Sequence, residues 1–245
     1  MICIILAGGY GKRLWPLTKD TAKPLLPTGD RVVLDYVMDK VLELDDLDKI
    51  IVSANLRFEE DFRKWMEKYH GVPLELSVEP SRREEEKPGA VRALYFLASK
   101  FSDDCLIIAG DNVFTFFLKD LVDKYKRLRA PLIALYDVSS FELAKNYGVV
   151  VDSKLRIIGF EEKPANPKSS LISTGIYIYP REVISMMKSY LEEGDGADRL
   201  GDFIEWLHKR TAVYGHIVQG EWWDIGTIET YREVLRRIGK NHCHI

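Results

Sequence analysis

Short unbroken apolar runs alternate along this chain with longer stretches whose apolar residues recur every three or four positions. The first kind predicts strands buried on both faces, the second amphipathic helices. Ile2 to Ala7, Lys49 to Ala54, Leu74 to Val78, Cys105 to Ala109 and Pro131 to Tyr136 read as strands. Between them, Val32 to Glu43 carries Leu34, Val37, Met38, Val41 and Leu42 at helical spacing, and Phe58 to Tyr69 gathers Phe62, Trp65 and Met66 on one side. Ala90 to Lys100 and Leu118 to Leu128 read as further helices. Repetition of this kind predicts a mainly parallel sheet with helices on both faces.

The rhythm changes after about Val138. Tyr147 to Val151 and Ile157 to Glu161 flank an Asp152-Ser153 turn and predict a hairpin. Ser173 to Tyr179 is a strand, followed by helices over Pro180 to Leu191 and Arg199 to Arg210. Ala212 to Val218 and Glu221 to Trp223 are short strands, and a last helix runs from Thr227 to about Ile238. No internal repeat, low-complexity segment or linker interrupts the pattern. The expected fold is α/β, a Rossmann-like doubly wound, mainly parallel mixed sheet in a single domain over 1–245, with halves at 1–138 and 139–245.

The length of 245 residues suits one large domain, and 46% hydrophobic content suffices for a core. Charged residues make up 30% of the chain but nearly cancel, leaving a net charge of -3. That balance argues against nucleic acid or a membrane surface as partner. Of the three cysteines, Cys3 and Cys105 lie in apolar runs and are expected as buried free thiols, which suits a reducing, cytoplasmic setting. The N-terminal apolar run is too short for a signal peptide, and no run approaches the roughly 20 residues of a membrane helix.

Chemistry concentrates at the first strand's exit. Leu6-Ala7-Gly8-Gly9-Tyr10-Gly11-Lys12-Arg13 places three glycines in four positions ahead of two cations, and Lys23 follows ten residues after Arg13. Glycines let backbone N–H groups approach a ligand, and consecutive amides form an anion-binding concavity. The spacing matches neither the dinucleotide fingerprint, where Leu14 stands in place of the third glycine, nor a Walker A loop. On glycines alone, a tight strand-to-helix turn is an equal reading. Asp111, in Ala109-Gly110-Asp111-Asn112, follows a buried strand. A carboxylate there can hold a metal over a ligand, although a lone Asp more often makes an Asx turn or helix cap.

The longer string decides between these readings. L-A-G-G-x-G-x-R-L-x-P-x-T followed by Lys23-Pro24-Leu25-Leu26-Pro27 resembles the signature loop of the sugar-1-phosphate nucleotidylyltransferases, and five motifs in that family's order span essentially the whole chain. The resemblance implies the nucleotide-diphospho-sugar transferase type of fold, with a nucleotide-binding first half and a sugar-phosphate-binding second half. It implies that Leu6, Ala7, Gly8, Gly9 and Gly11 cradle the nucleotide, with Arg13, Lys23 and Lys163 as catalytic cations. Asp111 and Asp224, the latter in Trp222-Trp223-Asp224-Ile225-Gly226-Thr227, are the implied ligands of Mg²⁺. Thr227 is better placed than Asp224 to cap the last helix. Glu162 and Lys163, in Glu161-Glu162-Lys163-Pro164, would take sugar hydroxyls and the sugar phosphate, and Gly148, Thr174 and Gly175 belong to the sugar pocket.

The chain departs from the family pattern at the nucleobase. Glu79-Pro80 stands where thymidylyl- and many uridylyltransferases carry Gln-Pro, while Gly89-Ala90-Val91-Arg92-Ala93 aligns with G-T-A-G-A, Gly89 being the glycine expected at the nucleotide. An ionised Glu79 only accepts hydrogen bonds, so it suits either the donor edge of guanine or the imide N–H of thymine or uracil. The insert Arg82 to Lys87 reads as a solvated loop able to close over the site. Asp195 aligns where thymidylyltransferases often place a phosphate-binding Arg; Arg199, four residues on, is either its substitute or a surface residue. The His242-Cys243-His244 tail does not match a usual zinc spacing.

The implied reaction joins an NTP and a sugar 1-phosphate into an NDP-sugar and pyrophosphate. dTTP or UTP with glucose 1-phosphate is favoured, because the chain is compact and its C-terminal helix pair long; GTP with mannose 1-phosphate is the alternative. A catalytically silent nucleotide-sugar-sensing subunit would have lost Arg13, Lys23 or a metal Asp, and all are present. A dinucleotide oxidoreductase would place an acidic ribose ligand where Ser53-Ala54-Asn55 stands. At this length no β-helix acyltransferase extension is expected. Oligomeric state stays open, self-association included.

Overall fold

The computed structural model describes residues 1–162, 164–194 and 199–241. Its strands are β1 (Ile2–Leu6), β2 (Lys49–Asn55), β3 (Leu74–Glu79), β4 (Cys105–Ala109), β5 (Asn112–Phe114), β6 (Leu132–Asp137), β7 (Tyr147–Val151), β8 (Ile157–Glu162), β9 (Leu171–Tyr179), β10 (Tyr214–Ile217) and β11 (Trp222–Asp224). The helices are α1 (Val33–Leu42), α2 (Glu59–Met66), α3 (Ala90–Ala98), α4 (Leu118–Leu128), α5 (Arg181–Glu193), α6 (Leu200–Leu207) and α7 (Ile228–Asn241). Seven strands form one mixed sheet in the order β10-β6-β9-β4-β1-β2-β3, and β5–β11 and β7–β8 form separate pairs. The expected α/β architecture is therefore present, with β6–β9 antiparallel and β1–β2, β2–β3 and β6–β10 parallel.

By packing, the chain divides into two compact units, each made of separate stretches. One comprises Ile2–Lys87, Ile108–Phe116 and Gly220–Ile245. Here β1 pairs with β2 from Ile2↔Lys49 to Leu6↔Ser53, and β2 with β3 up to Asn55↔Glu79, so three carboxyl ends lie side by side. The apolar stripe of α1 (Val33, Leu34, Val37, Met38, Val41) is buried, as are Phe62 and Trp65 of α2. Asp35, almost fully buried, joins the two helices. It accepts hydrogen bonds from the Val32 amide at 2.9 Å, Trp65 Nε1 at 2.7 Å and the Tyr69 hydroxyl at 2.9 Å, and pairs with Lys68. A second cluster buries Leu14, Leu26, Val33, Val113, Ile225, Tyr231 and Val234. It seats the glycine loop, β5, the loop after β11 and α7 on a common apolar base.

The other unit comprises Met1, Pro88–Ile107 and Phe117–Gln219. Its hairpin β7–β8 has the expected antiparallel register, Tyr147↔Glu162 to Val151↔Ile157. Tyr179, Tyr190, Phe203 and Trp206 interlock where β9, α5 and α6 meet, with ring centroids 5.4 to 5.9 Å apart. Cys3 and Cys105 are buried thiols, as expected. Among the described residues no helix is long and apolar enough to cross a membrane.

Some boundaries shift for local reasons. The stretch read as Phe58 to Tyr69 begins with a 3-10 turn, Leu56–Phe58, and its α-helix ends at Met66. The helix read as Arg199 to Arg210 ends at Leu207, its last buried apolar contact. β5 went unforeseen, because three residues after Gly110-Asp111 carry no period of their own; β11 pairs with them and makes them a strand.

Candidate functional site

The cradle begins where β1 ends. The Ala7 amide still bonds to Ser53 at 2.8 Å, and Asn55 Nδ2 holds the Gly8 carbonyl at 3.2 Å. Gly9 is exposed, and a methyl there would meet nothing within 4 Å, so packing does not require this glycine. Gly11 is required twice: its φ is +59°, and a Cβ would lie 3.1 Å from Thr18 Cγ2 and 3.3 Å from Lys23 Cβ. Thr18 closes the loop by donating to the Gly11 carbonyl at 2.8 Å. Leu14, buried in the core, anchors the 3-10 turn Lys12–Leu14 that carries Arg13 outward.

Two close approaches bring the carboxylates in. The Gly110 amide bonds to the Leu6 carbonyl at 2.9 Å, and a Cβ at Gly110 would stand 3.1 Å from that oxygen. The chain after β4 is thus pressed against the exit of β1, and Asp111 follows at once. β11 runs antiparallel to β5 with Asp224 opposite Asn112, and the Ile225 amide bonds to the Asp111 carbonyl at 3.2 Å. Between the acids lies Lys23 Nζ, 2.5 Å from Asp111 Oδ2 and 3.6 Å from Asp224 Oδ1. Lys23 is only 7% exposed, an unusual burial for a lysine that the two carboxylates explain. Gly226 keeps the remaining flank narrow: a Cβ there would be 3.4 Å from Asp224 Oδ2 and 3.6 Å from the Arg13 guanidinium. Thr227 Oγ1 accepts from the Thr230 amide at 3.2 Å and so caps α7, leaving Asp224 free of that duty.

Burial, then the charge of Asp111, pushes the Asp224 carboxyl above its usual range, against the opposing pull of Lys23 and Arg13. A raised carboxylate beside a second one favours a cation. Among the described residues no three metal-binding side chains gather. Two carboxylates nevertheless fit Mg²⁺, which takes hard oxygen donors and shares its octahedron with phosphates and water. The glycine loop, Arg13, Lys23, Asp111 and Asp224 thus form one constellation within a single unit, as their motifs imply.

Glu79 ends β3 opposite Asn55, with its Oε2 3.9 Å from where a Gly8 Cβ would be. Its Oε1 accepts from Ser81 Oγ, which in turn accepts from the Tyr10 hydroxyl at 3.3 Å. No local pattern foretells this relay, since Tyr10 and Ser81 lie 71 positions apart along the chain. The Arg82 to Lys87 stretch folds into a 3-10 turn, Glu84–Glu86, in which Glu86 accepts from the Arg82 amide at 2.7 Å. That turn reaches Lys12, whose Nζ is 3.0 Å from Glu84 and 2.8 Å from Glu85.

Gly89, Gly148, Glu162, Thr174, Gly175 and Arg199 belong to the other unit. Gly89, with φ +96°, is the N-cap of α3. Gly148 has a packing reason, since its Cβ would meet Pro164 Cγ at 2.9 Å. With Glu161, Pro164 and Lys168 it lines a cavity of about 490 Å³. Thr174 is buried and donates to the Ala134 carbonyl of β6 at 2.9 Å, and Gly175 has φ +77°. Glu162 ends β8. Lys163, Asp195 and the His242-Cys243-His244 tail lie outside the described residues. Arg199 Nε bonds to Asp202 at 3.0 Å in the first turn of α6.

A family model described as nucleotidyl transferase matches residues 2–241. The bifunctional protein GlmU of Methanocaldococcus jannaschii is 32% identical over 92% of this chain and 51% of its own length. The chain therefore spans about half the length of the first relatives it matches. The UTP--glucose-1-phosphate uridylyltransferase AglF of Haloferax volcanii is 26% identical over 97% of this chain and 96% of its own. Among solved structures, a putative glucose-1-phosphate thymidylyltransferase from Bacillus anthracis, in complex with a sucrose, superposes with TM-score 0.83 at 27% identity, covering 97% of this chain and 95% of that one. With a family match over nearly all its residues, this chain belongs to the nucleotidyl transferase family.

Proposed function

We propose that this chain transfers a nucleotidyl group from a nucleoside triphosphate to a sugar 1-phosphate, with UTP or dTTP and glucose 1-phosphate as the favoured pair. The observation that carries the reaction class is the Lys23–Asp111–Asp224 cluster beside the glycine loop. An oxygen of the sugar phosphate attacks the α-phosphorus; the new P–O bond forms as the bond to the bridging oxygen breaks, and pyrophosphate leaves with that electron pair. The attacking phosphate is already ionised, so no general base is needed. What the protein supplies is alignment and charge. Amides of Gly8, Gly9 and Gly11 and the guanidinium of Arg13 hold the departing phosphates. Lys23 offsets charge on the transferred phosphoryl group, Glu162 accepts hydrogen bonds from sugar hydroxyls, and Lys163 binds the sugar's phosphate. Mg²⁺ held by Asp111 and Asp224 would neutralise phosphate charge and polarise the reacting centre.

The substrate pair rests on AglF, which matches over nearly the full length of both chains. A second reading, GTP with mannose 1-phosphate, draws on a putative mannose-1-phosphate guanyltransferase of Sulfolobus acidocaldarius, 31% identical over 94% of this chain and 61% of its own. Pyrophosphate release measured for ATP, CTP, GTP, UTP and dTTP, each crossed with glucose, mannose and N-acetylglucosamine 1-phosphates in Mg²⁺, decides between them. UTP or dTTP with glucose 1-phosphate should turn over fastest. Release from no pair would overturn the reaction class.

A further inference from the structure

Glu79 ends a strand beside the glycine loop, and its two carboxylate oxygens have different surroundings. Oε1 is engaged by the hydroxyl of Ser81, which is 2% exposed and itself receives the Tyr10 hydroxyl. Tyr10 is 6% exposed and its ring lies 6.4 Å from that of Phe58, so the relay starts from a packed side chain. The Ser81 carbonyl is fixed as well, accepting from the Leu56 amide at 3.2 Å. Oε2 is the oxygen near Gly8, and no described residue donates a hydrogen bond to it. The direction of the donors is fixed throughout: tyrosine to serine, serine to carboxylate. Each hydroxyl has one proton to give, so Ser81 has none left for a ligand.

We propose that Ser81, seated by Tyr10, is a positioning residue that sets nucleobase choice by turning a single carboxylate oxygen of Glu79 toward the base. This rests on the reading of Glu79 as the nucleobase contact and deepens it. One acceptor oxygen matches one N–H, such as the imide N–H of uracil or thymine. A bidentate grip on the adjacent N1–H and N2–H₂ of guanine needs both oxygens to face the ligand, and Oε1 faces Ser81 instead. The relay therefore selects against guanine without touching the nucleotide.

The test compares kcat/KM for UTP and GTP, with glucose 1-phosphate fixed, in the wild type, Ser81→Ala and Tyr10→Phe. Freed from Ser81, the carboxylate can rotate, and the GTP-to-UTP ratio should rise about tenfold in Ser81→Ala, the worth of one charge-assisted hydrogen bond. Tyr10→Phe keeps the ring and should shift the ratio in the same direction by less, which serves if Ser81→Ala fails to fold. A ratio unchanged within twofold in the folded variants, or an equal loss for both nucleotides, overturns the proposal. Failure of the substrate reading has a separate signature: the wild type then releases no pyrophosphate from UTP or dTTP. In that event, the ratio of UTP and GTP dissociation constants measured calorimetrically on the same proteins replaces the kinetic ratio, and an unchanged value again overturns the relay.

Discussion

At Lys23 the site's chemistry reduces to a charge count. One buried ammonium sits between two carboxylates, so the cluster carries one negative charge in excess before Arg13 is counted. The surplus is what a divalent cation and a polyphosphate together can balance. Asp111→Asn removes it while keeping an oxygen for the Lys23 ammonium. Turnover should fall at least about a thousandfold, as for loss of a principal electrostatic group. The cost in stability should stay near 1–2 kcal/mol, that of one weakened charged hydrogen bond. Pyrophosphate release and urea denaturation on the same preparation check both; near-normal activity would remove Asp111 from the metal site. Much at this scale was legible in the sequence, because Gly8 to Arg13 is a contiguous string whose residue types already imply anion binding. The meeting of Lys23 with Asp111 was not, since they lie 88 positions apart and nothing local points from one to the other. The longer motif resemblance implied only that both serve one site, not that they pair. The same holds for Gly110 and Gly226, whose missing side chains matter because of neighbours that arrive from elsewhere in the chain.

Elements hold these residues through two polar ties of opposite character. The first is Asp35, which locks α1 to α2 from within the core. Burial alone would raise its pKa, but the bonds from Lys68, Val32, Trp65 and Tyr69 outweigh it and hold the carboxyl below its usual range. Its stabilisation is therefore complete above the unfolded value of about 3.9 and is lost as pH falls through the lower folded value. Asp35→Asn should cost about 2–3 kcal/mol at pH 7 and less as the pH approaches 3, read as urea midpoints across that range. The second tie is exposed. Lys12 bridges to Glu84 and Glu85, a type of surface pair worth little, so the triphosphate can win Lys12 away from them. Glu84→Gln with Glu85→Gln should lower the nucleotide KM two- to fivefold and leave kcat unchanged; a raised KM would show instead that the turn helps to hold the nucleotide. Periodicity revealed α1 and α2 without trouble. It was silent on the three-residue strands β5 and β11, whose pairing is what sets Asp111 and Asp224 together. It was equally silent on the contact of the Arg82 to Lys87 turn with Lys12, because an exposed charged run has no face.

Across the whole molecule, folding and chemistry draw on different groups, and this separates structural from catalytic needs. The α/β class was readable because buried strands and amphipathic helices have distinct periods along the chain. The two compact units were hidden, since each collects separate stretches and no local period records which distant segments pack together. In the unit that holds the glycine loop, the apolar cluster around Leu14, Val113, Ile225 and Val234 fixes the loop, β5 and α7. None of those contacts involves a carboxylate. Lys23 already offsets much of the repulsion between Asp111 and Asp224. A metal bound there should therefore contribute to reaction far more than to folding, unlike a structural zinc, whose binding energy is folding energy. The net charge of -3 offers no general attraction for anions, so capture of the proposed substrates would depend on local cations and on the proposed metal. Chelation tests the separation directly. EDTA should reduce pyrophosphate release at least about a hundredfold, the loss of a charge-neutralising Lewis acid. The thermal midpoint of the nucleotide-free protein should move by less than about 2 °C, which for a chain of this size corresponds to under about 1 kcal/mol. Excess Mg²⁺ should restore the rate. A midpoint that collapses with the rate would mean that the carboxylate pair needs its cation to fold, and that Lys23 does not stand in for it.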